Sequence, residues 1–285
     1  MRFRLAVIGD PIAHSKSPVI HETVLKELGI DYEYECVRVE RGGLEEFIDY
    51  AKKSGILGFN VTMPHKGDII PLLDSIDAEA RMYHSVNTVK IENGKLYGYN
   101  TDGKGYIESI SEMGFCCREK NIVVLGAGGA ASTVAMKAAA EGAKAVTVLN
   151  RSRERSQMLY DNIKDRLGIE IILDELDTDT IAKHCCDCDL LINGTPLGMH
   201  GIDKNFESFS FFETMKDGAL VSDMIYNPPK TDFLKNAEKN GFRILNGLGM
   251  LIYQGLVADE IFLEKSLDFG HLKEKIKNNI EKIEK

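Results

Sequence analysis

A chain of 285 residues, 44% hydrophobic and 28% charged, has the make-up of an ordinary globular protein and is long enough for two domains of about 140 residues each. Its net charge of −9 weighs against nucleic acid or an anionic membrane as partner, while leaving room for small anions bound locally. No apolar run approaches the ~20 residues of a membrane span, and the stretch Leu5–Ile8 is shorter than a signal-peptide core of ~7–15 residues, so a cytoplasmic setting is expected.

In chain order, Leu5–Ile8 reads as a strand running into the turn Gly9-Asp10-Pro11. Ser15-Lys16-Ser17-Pro18 then opens an amphipathic helix that stops at Gly29, with Ser17 a natural N-cap and Pro18 a natural first helical residue. Helix capping leaves Ser15 unexplained. It is either one more hydroxyl of the loop or, with Ser17 and the helix N-terminus, part of a carboxylate site, and spacing does not separate the two. Tyr32–Val39 alternates as a strand, and Gly43–Ser54 reads as a helix closed by Gly55. The strand Gly58–Thr62 ends at Met63-Pro64-His65-Lys66, where Pro64 can donate nothing to a ladder. Ligands of α/β sheets gather at the carboxyl ends of strands, so Asn60, Thr62 and Lys66 are expected to face a site. Gly67–Ala80 reads as helical. Ser85–Ile91 and Lys95–Asn100 flank Glu92-Asn93-Gly94, a hairpin signal, and the second arm ends in Asn100-Thr101-Asp102-Gly103. A helix over Tyr106–Met113 and a linker around Gly114–Lys120 follow.

Asn121–Arg155 contains a strand, a glycine-rich turn, an alanine-rich helix and a second strand, Ala145–Leu149. Gly126, Gly128 and Ala131 fill the positions of G-x-G-x-x-G/A, which allow the tight turn, backbone approach to a pyrophosphate, and close helix–strand packing. The competing reading is a tight structural turn; the position, directly after a strand and opening a helix, favours a dinucleotide. The second strand ends in Asn150-Arg151-Ser152-Arg153-Glu154-Arg155, without the carboxylate that would accept a ribose 2′-hydroxyl and repel a 2′-phosphate, and with three arginines able to bind one. NADP(H) is expected over NAD(H), the alternative being a solvated helix start that happens to be basic.

Strands Glu170–Leu173, Leu190–Asn193, Leu220–Asp223 and Arg243–Leu245 continue the pattern, so strand ends at Gly126, Asn150, Asn193 and Asp223 fall on one edge of a parallel sheet. Gly247-Leu248-Gly249-Met250 opens a helix through Gln254 to about Glu264. The tail His271–Lys285 places Leu272, Ile276, Ile280 and Ile283 at helical spacing. Among six cysteines, His184-Cys185-Cys186-Asp187-Cys188 is half of a metal pattern with no second cluster at suitable spacing. Reduced, partly buried thiols are expected, and no metal.

As a set these motifs resemble the shikimate dehydrogenases. The resemblance rests on Ser15-Lys16-Ser17-Pro18, Asn60-Val61-Thr62-x-Pro64-x-Lys66, Val86-Asn87-Thr88, Asn100-Thr101-Asp102-Gly103, Gly126-Ala127-Gly128-Gly129-Ala130, Asn150-Arg151-Ser152, Asp223-Met224-x-Tyr226 and Gly247-Leu248-Gly249-Met250-Leu251-x-x-Gln254, in the family's order from residue 5 to about residue 265. It implies a two-domain α/β fold: a substrate domain of residues 1–103 and 246–285, a doubly wound Rossmann-type NADP domain of residues 104–245, and a substrate cleft between them. The implied reaction is the reversible reduction of 3-dehydroshikimate to shikimate with NADPH, in chorismate and aromatic amino-acid biosynthesis. The implied catalytic pair is Lys66 and Asp102. Ser15 and Ser17 would bind the substrate carboxylate; Asn60, Thr62, Asn87 and Gln254 the ring hydroxyls, with Tyr226 nearby. Gly126, Ala127, Gly128, Gly129, Ala130, Asn150, Arg151, Ser152, Arg155 and Gly247 would hold NADP(H). A monomer or homodimer acting on a small molecule is expected. Ser132 stands where the family often carries an arginine, and His65 has no reading from one sequence. The rival classes are a quinate dehydrogenase with relaxed cofactor use and a non-catalytic NADPH-binding regulator. For Lys66 and Asp102 taken singly, the plain alternative is a surface salt bridge worth ~0–1 kcal/mol.

Overall fold

The computed structural model describes residues 2–13, 15–152, 157, 161 and 171–283. They divide into two compact units, residues 1–105 with 252–285, and residues 106–251.

The first unit is built on a six-stranded mixed sheet. Its members are β1 (Phe3–Gly9), β2 (Tyr32–Arg38), β3 (Gly58–Val61), β4 (Ser75–Ile76), β5 (Thr88–Glu92) and β6 (Lys95–Tyr99), in the order β2-β1-β3-β5-β6-β4. β1 pairs in parallel with both β2 and β3, because the connections are crossovers through α1 (Ser17–Glu27) and α2 (Leu44–Ser54). β1 is central and covered on both faces, which is why Leu5 to Ile8 is an uninterrupted apolar run, every residue at most 1% exposed. Ala6 and Ile8 join a core with Phe47, Phe59, Val61 and Ile69, whereas Leu5 packs with Leu25, Ala258 and Phe262. Gly55 closes α2 at φ 71°, a conformation in which a Cβ is costly. The β5–β6 hairpin pairs Glu92 with Lys95 across Asn93 (φ 52°) and Gly94 (φ 76°), a two-residue loop with both φ positive, as its Asn-Gly sequence favours.

Three local expectations are corrected here. Gly67–Ala80 is not one helix: it comprises a 3₁₀ turn at Ile70–Leu72, the short β4 beside β6, and α3 (Ala78–Tyr83). Pro71 cannot donate within a helix interior, and Asp77 restarts the chain as an N-cap, its side chain accepting from Ala80 N at 2.6 Å. The helix expected over Tyr106–Met113 is α4 (Asp102–Ser111), so Asp102 lies in its first turn; Asn100 Oδ1 accepts the Asp102 N–H at 3.0 Å and supports this earlier start. Ser17 is the first residue of α1 rather than its cap, and it is the Ser15 hydroxyl that accepts the Ser17 N–H, at 3.2 Å.

The second unit has a six-stranded, wholly parallel sheet of β7 (Asn121–Leu125), β8 (Ala145–Leu149), β9 (Ile171–Asp174), β10 (Leu190–Asn193), β11 (Leu220–Asp223) and β12 (Arg243–Leu245). Numbered from β7 as first, the order β9-β8-β7-β10-β11-β12 is 3-2-1-4-5-6, the doubly wound dinucleotide-binding topology. α5 (Gly129–Ala140) follows β7, α6 (Thr178–Cys185) follows β9, and α7 (Asp232–Lys239) precedes β12. One face of the sheet is packed by an aromatic cluster in which Phe211 and Phe212 lie 4.6 Å apart and Phe212 and Phe233 5.3 Å, against Leu125, Leu191 and Val221. Each such fully buried side chain contributes about 1.5–3 kcal/mol of apolar burial.

Two helices end the chain, α8 (Leu248–Leu263) and α9 (Phe269–Ile283). On α9, Leu272, Ile276 and Ile280 are buried, but Ile283, at the same spacing, is 64% exposed: the apolar stripe stops one turn short of its sequence pattern. Among the described residues no helix is long and apolar enough to cross a membrane.

Candidate active site

Lys66 is placed by the turn that follows β3. The Thr62 N–H continues the pairing to Ile8 O at 2.9 Å, and the Lys66 carbonyl accepts from Val86 N at 2.8 Å. His65, unreadable in the sequence, is fully buried with Nε2 2.6 Å from Val39 O. Only a donor can face a carbonyl, so Nε2 carries the proton, and the ring pins the turn from inside the core. Lys66 Nζ then donates to Asp102 Oδ2 at 2.6 Å. Asn87 Nδ2 donates to the other oxygen, Oδ1, at 2.8 Å. The side chains of Lys66 and Asp102 are only 24% and 8% exposed. Burial with both carboxylate oxygens hydrogen-bonded sets this pair apart from a solvated surface salt bridge.

From this pair a chain of hydrogen bonds runs through the first unit. Asn87 Oδ1 accepts from Thr88 Oγ1 at 3.0 Å, Thr88 Oγ1 accepts from Asn60 Nδ2 at 3.4 Å, and Asn60 Oδ1 accepts from the Tyr34 hydroxyl at 2.9 Å. Asn60 and Thr88 meet because they are register partners across the antiparallel β3–β5 pair. Asn87 Nδ2 also lies 3.4 Å from Gln254 Oε1. That approach requires Gly105, since a Cβ there would sit 2.6 Å from Gln254 N. Burial drives the Tyr34 phenol well above its ordinary pKa, with the Asp259 charge adding to the effect, so the hydroxyl remains a donor. The structure therefore joins Asn60, Asn87, Asp102, Lys66 and Gln254. Ser15 is tied to Ser17 through its N–H. Thr62 is half-buried, its Cγ2 against the α-carbon of Gly9, where a Cβ would come within 2.4 Å. Tyr226 belongs to the second unit, half-buried in the loop after β11. Sequence reasoning missed Tyr34 and Thr88 as parts of this network, and His65 as the support of the turn that carries Lys66. Tyr34 and His65 carried no spacing signal, and Thr88 stood visible only as the neighbour of Asn87.

In the second unit the strand order reverses between β7 and β10, and a glycine directly follows each of the two strands. Gly126 has φ 100°, which favours glycine, and its N–H donates to Leu149 O at 2.7 Å. A Cβ at Gly194 would meet Ala131 Cβ at 2.5 Å, so the loop after β10 and the first turn of α5 close on each other only as Gly and Ala. Gly128 caps α5 and Gly129 begins it; a Cβ at either would meet nothing within 4 Å. Free space beside first-turn N–H groups that have no intrahelical acceptor fits a pyrophosphate. Ala127 is buried and Ala130 half-buried in the same turn. After β8, the Asn150 N–H donates to Asp174 O at 3.1 Å and its Nδ2 to Ser152 O at 2.9 Å, with Arg151 exposed and an amide, not a carboxylate, at position 150. Arg153 and Arg155 lie outside the described residues. Ser132 is in the first turn of α5, its N–H on Gly128 O at 2.8 Å. Gly247 answers to packing: a Cβ there would come 2.1 Å from Met224 O.

Asp223 ends β11 fully buried, accepting from Asn193 Nδ2 at 3.1 Å, Ile225 N at 3.0 Å and Thr231 Oγ1 at 2.5 Å. Burial outweighs these bonds and raises its carboxyl from 3.8 to about 6. A carboxyl raised on folding adds stability that is fully present below its unfolded pKa and is lost as pH rises through the folded one. Wild type is therefore expected to lose about 2–3 kcal/mol relative to Asp223→Asn between pH 4 and pH 7. Denaturant melts of both proteins across that range check this, and a pH-independent difference would refute it.

The cysteines are all unbridged. Cys185 and Cys188 are fully buried, Cys186 is exposed, and His184 Nε2 is engaged by Asp174 Oδ2 at 3.0 Å. Among the described residues no group of three or more His, Cys, Asp or Glu side chains is arranged to hold a metal ion.

A doubly wound parallel sheet with a glycine turn, together with a unit presenting a buried lysine–carboxylate pair among amides and hydroxyls, defines the class of two-domain, dinucleotide-dependent oxidoreductases. Residues 7–89 match the model of the shikimate dehydrogenase substrate binding domain, and residues 109–196 that of shikimate/quinate 5-dehydrogenase. The shikimate dehydrogenase (NADP(+)) of Methanocaldococcus jannaschii is 41% identical over 90% of this chain and 90% of its own. A shikimate dehydrogenase solved in complex with NADP+ superposes with a TM-score of 0.87 at 38% identity, covering 98% of this chain and 96% of that one. A quinate dehydrogenase from Corynebacterium glutamicum, solved with NAD, reaches the same TM-score of 0.87 at 27% identity, covering 97% and 99%. The chain belongs to the shikimate dehydrogenase family.

Proposed function

We propose that the protein catalyses the reversible NADPH-dependent reduction of 3-dehydroshikimate to shikimate, a step of chorismate and aromatic amino-acid biosynthesis. The observation that carries this reading is the Lys66–Asp102 pair, 2.6 Å apart, with Asn87 on the second carboxylate oxygen. Bound NADPH supplies a hydride to the ketone carbon. Negative charge then develops on the ketone oxygen, and the Lys66 ammonium meets that charge and donates the proton that completes the alcohol. Asp102 holds the ammonium and accepts from the nascent hydroxyl, while Asn87 fixes the carboxylate's orientation. Ser15 and Ser17 receive the substrate carboxylate; Asn60, Thr62, Asn87 and Gln254 receive ring hydroxyls, with Tyr226 completing the site. The turn at Gly126, Ala127, Gly128, Gly129 and Ala130 would hold the pyrophosphate, and Asn150, Arg151, Ser152 and Arg155 the 2′-phosphate, with Gly247 bordering the cofactor.

The quinate dehydrogenase shares the fold equally well, so the substrate is decided by measurement. Purified protein with shikimate or quinate, each with NADP⁺ or NAD⁺, is expected to give its largest kcat/KM for shikimate with NADP⁺, followed as reduced cofactor at alkaline pH. A larger value for quinate or for NAD⁺ would move the assignment within the family. No turnover of any pair would favour the regulator.

A further inference from the structure

Tyr34 supplies an aromatic hydroxyl to the hydrogen-bond chain that reaches the Lys66–Asp102 pair, and none of the sequence motifs includes it. We propose that Tyr34 is a positioning residue for substrate, fixing the orientation of Asn60 at the hydroxyl-binding end of the site. The inference rests on the reaction assigned above and adds to it a residue that acts through another.

The phenol donates its proton to Asn60 Oδ1 at 2.9 Å. A terminal amide can be flipped with little change in shape, exchanging its donor and acceptor ends. A hydroxyl donating to one end determines which is which: with Tyr34 on Oδ1, Nδ2 is turned toward Thr88 Oγ1. The phenol thereby orders an amide that follows it in the chain by 26 residues.

The ring itself is held rigidly. It stacks on His21 at 5.0 Å between centroids and 11° between planes, and His21 Nδ1 is 2.7 Å from Asp259 Oδ1. Both members of that pair are 0% exposed, so the ring rests on a support closed to solvent. A tyrosine needed only for volume would require neither a buried ionisable pair behind its face nor a polar partner for its hydroxyl.

The test is Tyr34→Phe, which keeps the stacked ring and removes only the hydroxyl. KM for shikimate is expected to rise about tenfold, the effect of one well-placed hydrogen bond, with kcat and the KM for NADP⁺ changed less than threefold. Because Tyr34 acts through Asn60, adding Tyr34→Phe to Asn60→Ala is expected to raise KM less than the product of the two single effects. A merely structural role would move thermal stability, kcat and both KM values together, and would overturn the proposal. An unchanged KM for shikimate, or strictly multiplicative effects in the double variant, would overturn it as well while wild-type turnover of shikimate stands. Absence of wild-type turnover would instead overturn the reaction assignment, and the substrate role of Tyr34 with it.

Discussion

Lys66→Ala is expected to lower kcat for shikimate oxidation by ~10²-fold or more while changing the KM for shikimate only a few-fold. The ammonium interacts most strongly with charge that exists only as the carbon–oxygen bond is converted, so its removal weakens the transition state more than the bound ground state. The magnitude corresponds to losing a general acid or one oxyanion-stabilising donor, each worth about 10²-fold or more. Lys66→Arg keeps the charge but presents a planar fork in place of a compact ammonium, and is expected to restore only part of the rate. Steady-state kinetics of both variants decide the matter: a kcat near wild type for Lys66→Ala removes Lys66 from the mechanism. A melting curve accompanies the kinetics, because the substitution leaves Asp102, 6% exposed, with Asn87 but without its cation.

The second large effect is expected at Arg151. Arg151→Ala should weaken NADPH by about 10–100-fold and leave NADH nearly unchanged, the span corresponding to one charge-assisted hydrogen-bond partner at ~1.5–3 kcal/mol. Arg151 is exposed just after the end of β8, where Asn150 Nδ2 is occupied with Ser152 O. An exposed pairing is screened by salt, so the wild-type preference for NADPH should shrink as ionic strength rises. Fluorescence titration of both reduced cofactors measures this, and equal weakening of the two would defeat the 2′-phosphate role.

Much of the local architecture was legible because it is written in short-range physics. The apolar run Leu5–Ile8 could only be a strand buried on both faces. Asn93-Gly94 could supply two positive φ values at little cost, and Gly126 occupies a backbone conformation that other residues rarely adopt. The parallel order of the second sheet followed from alternating helices and apolar strands. Misreadings arose where two local signals competed. Gly67–Ala80 has helical periodicity, but Pro71 and the Asp77 cap divide it. The glycines at 103 and 105 look unfavourable for a helix, yet α4 runs through both, and Gly105 leaves the space that Gln254 occupies.

The sequence by itself determined the class of fold, the dinucleotide turn with its Asn-Arg strand end, and the identity of the chemical groups at the candidate site. These depend on residue type, on periods of two or 3.6, and on backbone conformations that single residues impose. Tertiary structure alone decided which groups meet. Lys66 and Asp102 are 36 residues apart, Asn87 and Gln254 167, and His21 and Asp259 238. No spacing rule reaches across such intervals, because those contacts are set by strand register, by crossover connections that return α8 to the first unit, and by burial. Tyr34 shows the difference most plainly: in the chain it is one alternating residue of a strand, and only the folded protein places its hydroxyl on Asn60 and its ring on His21.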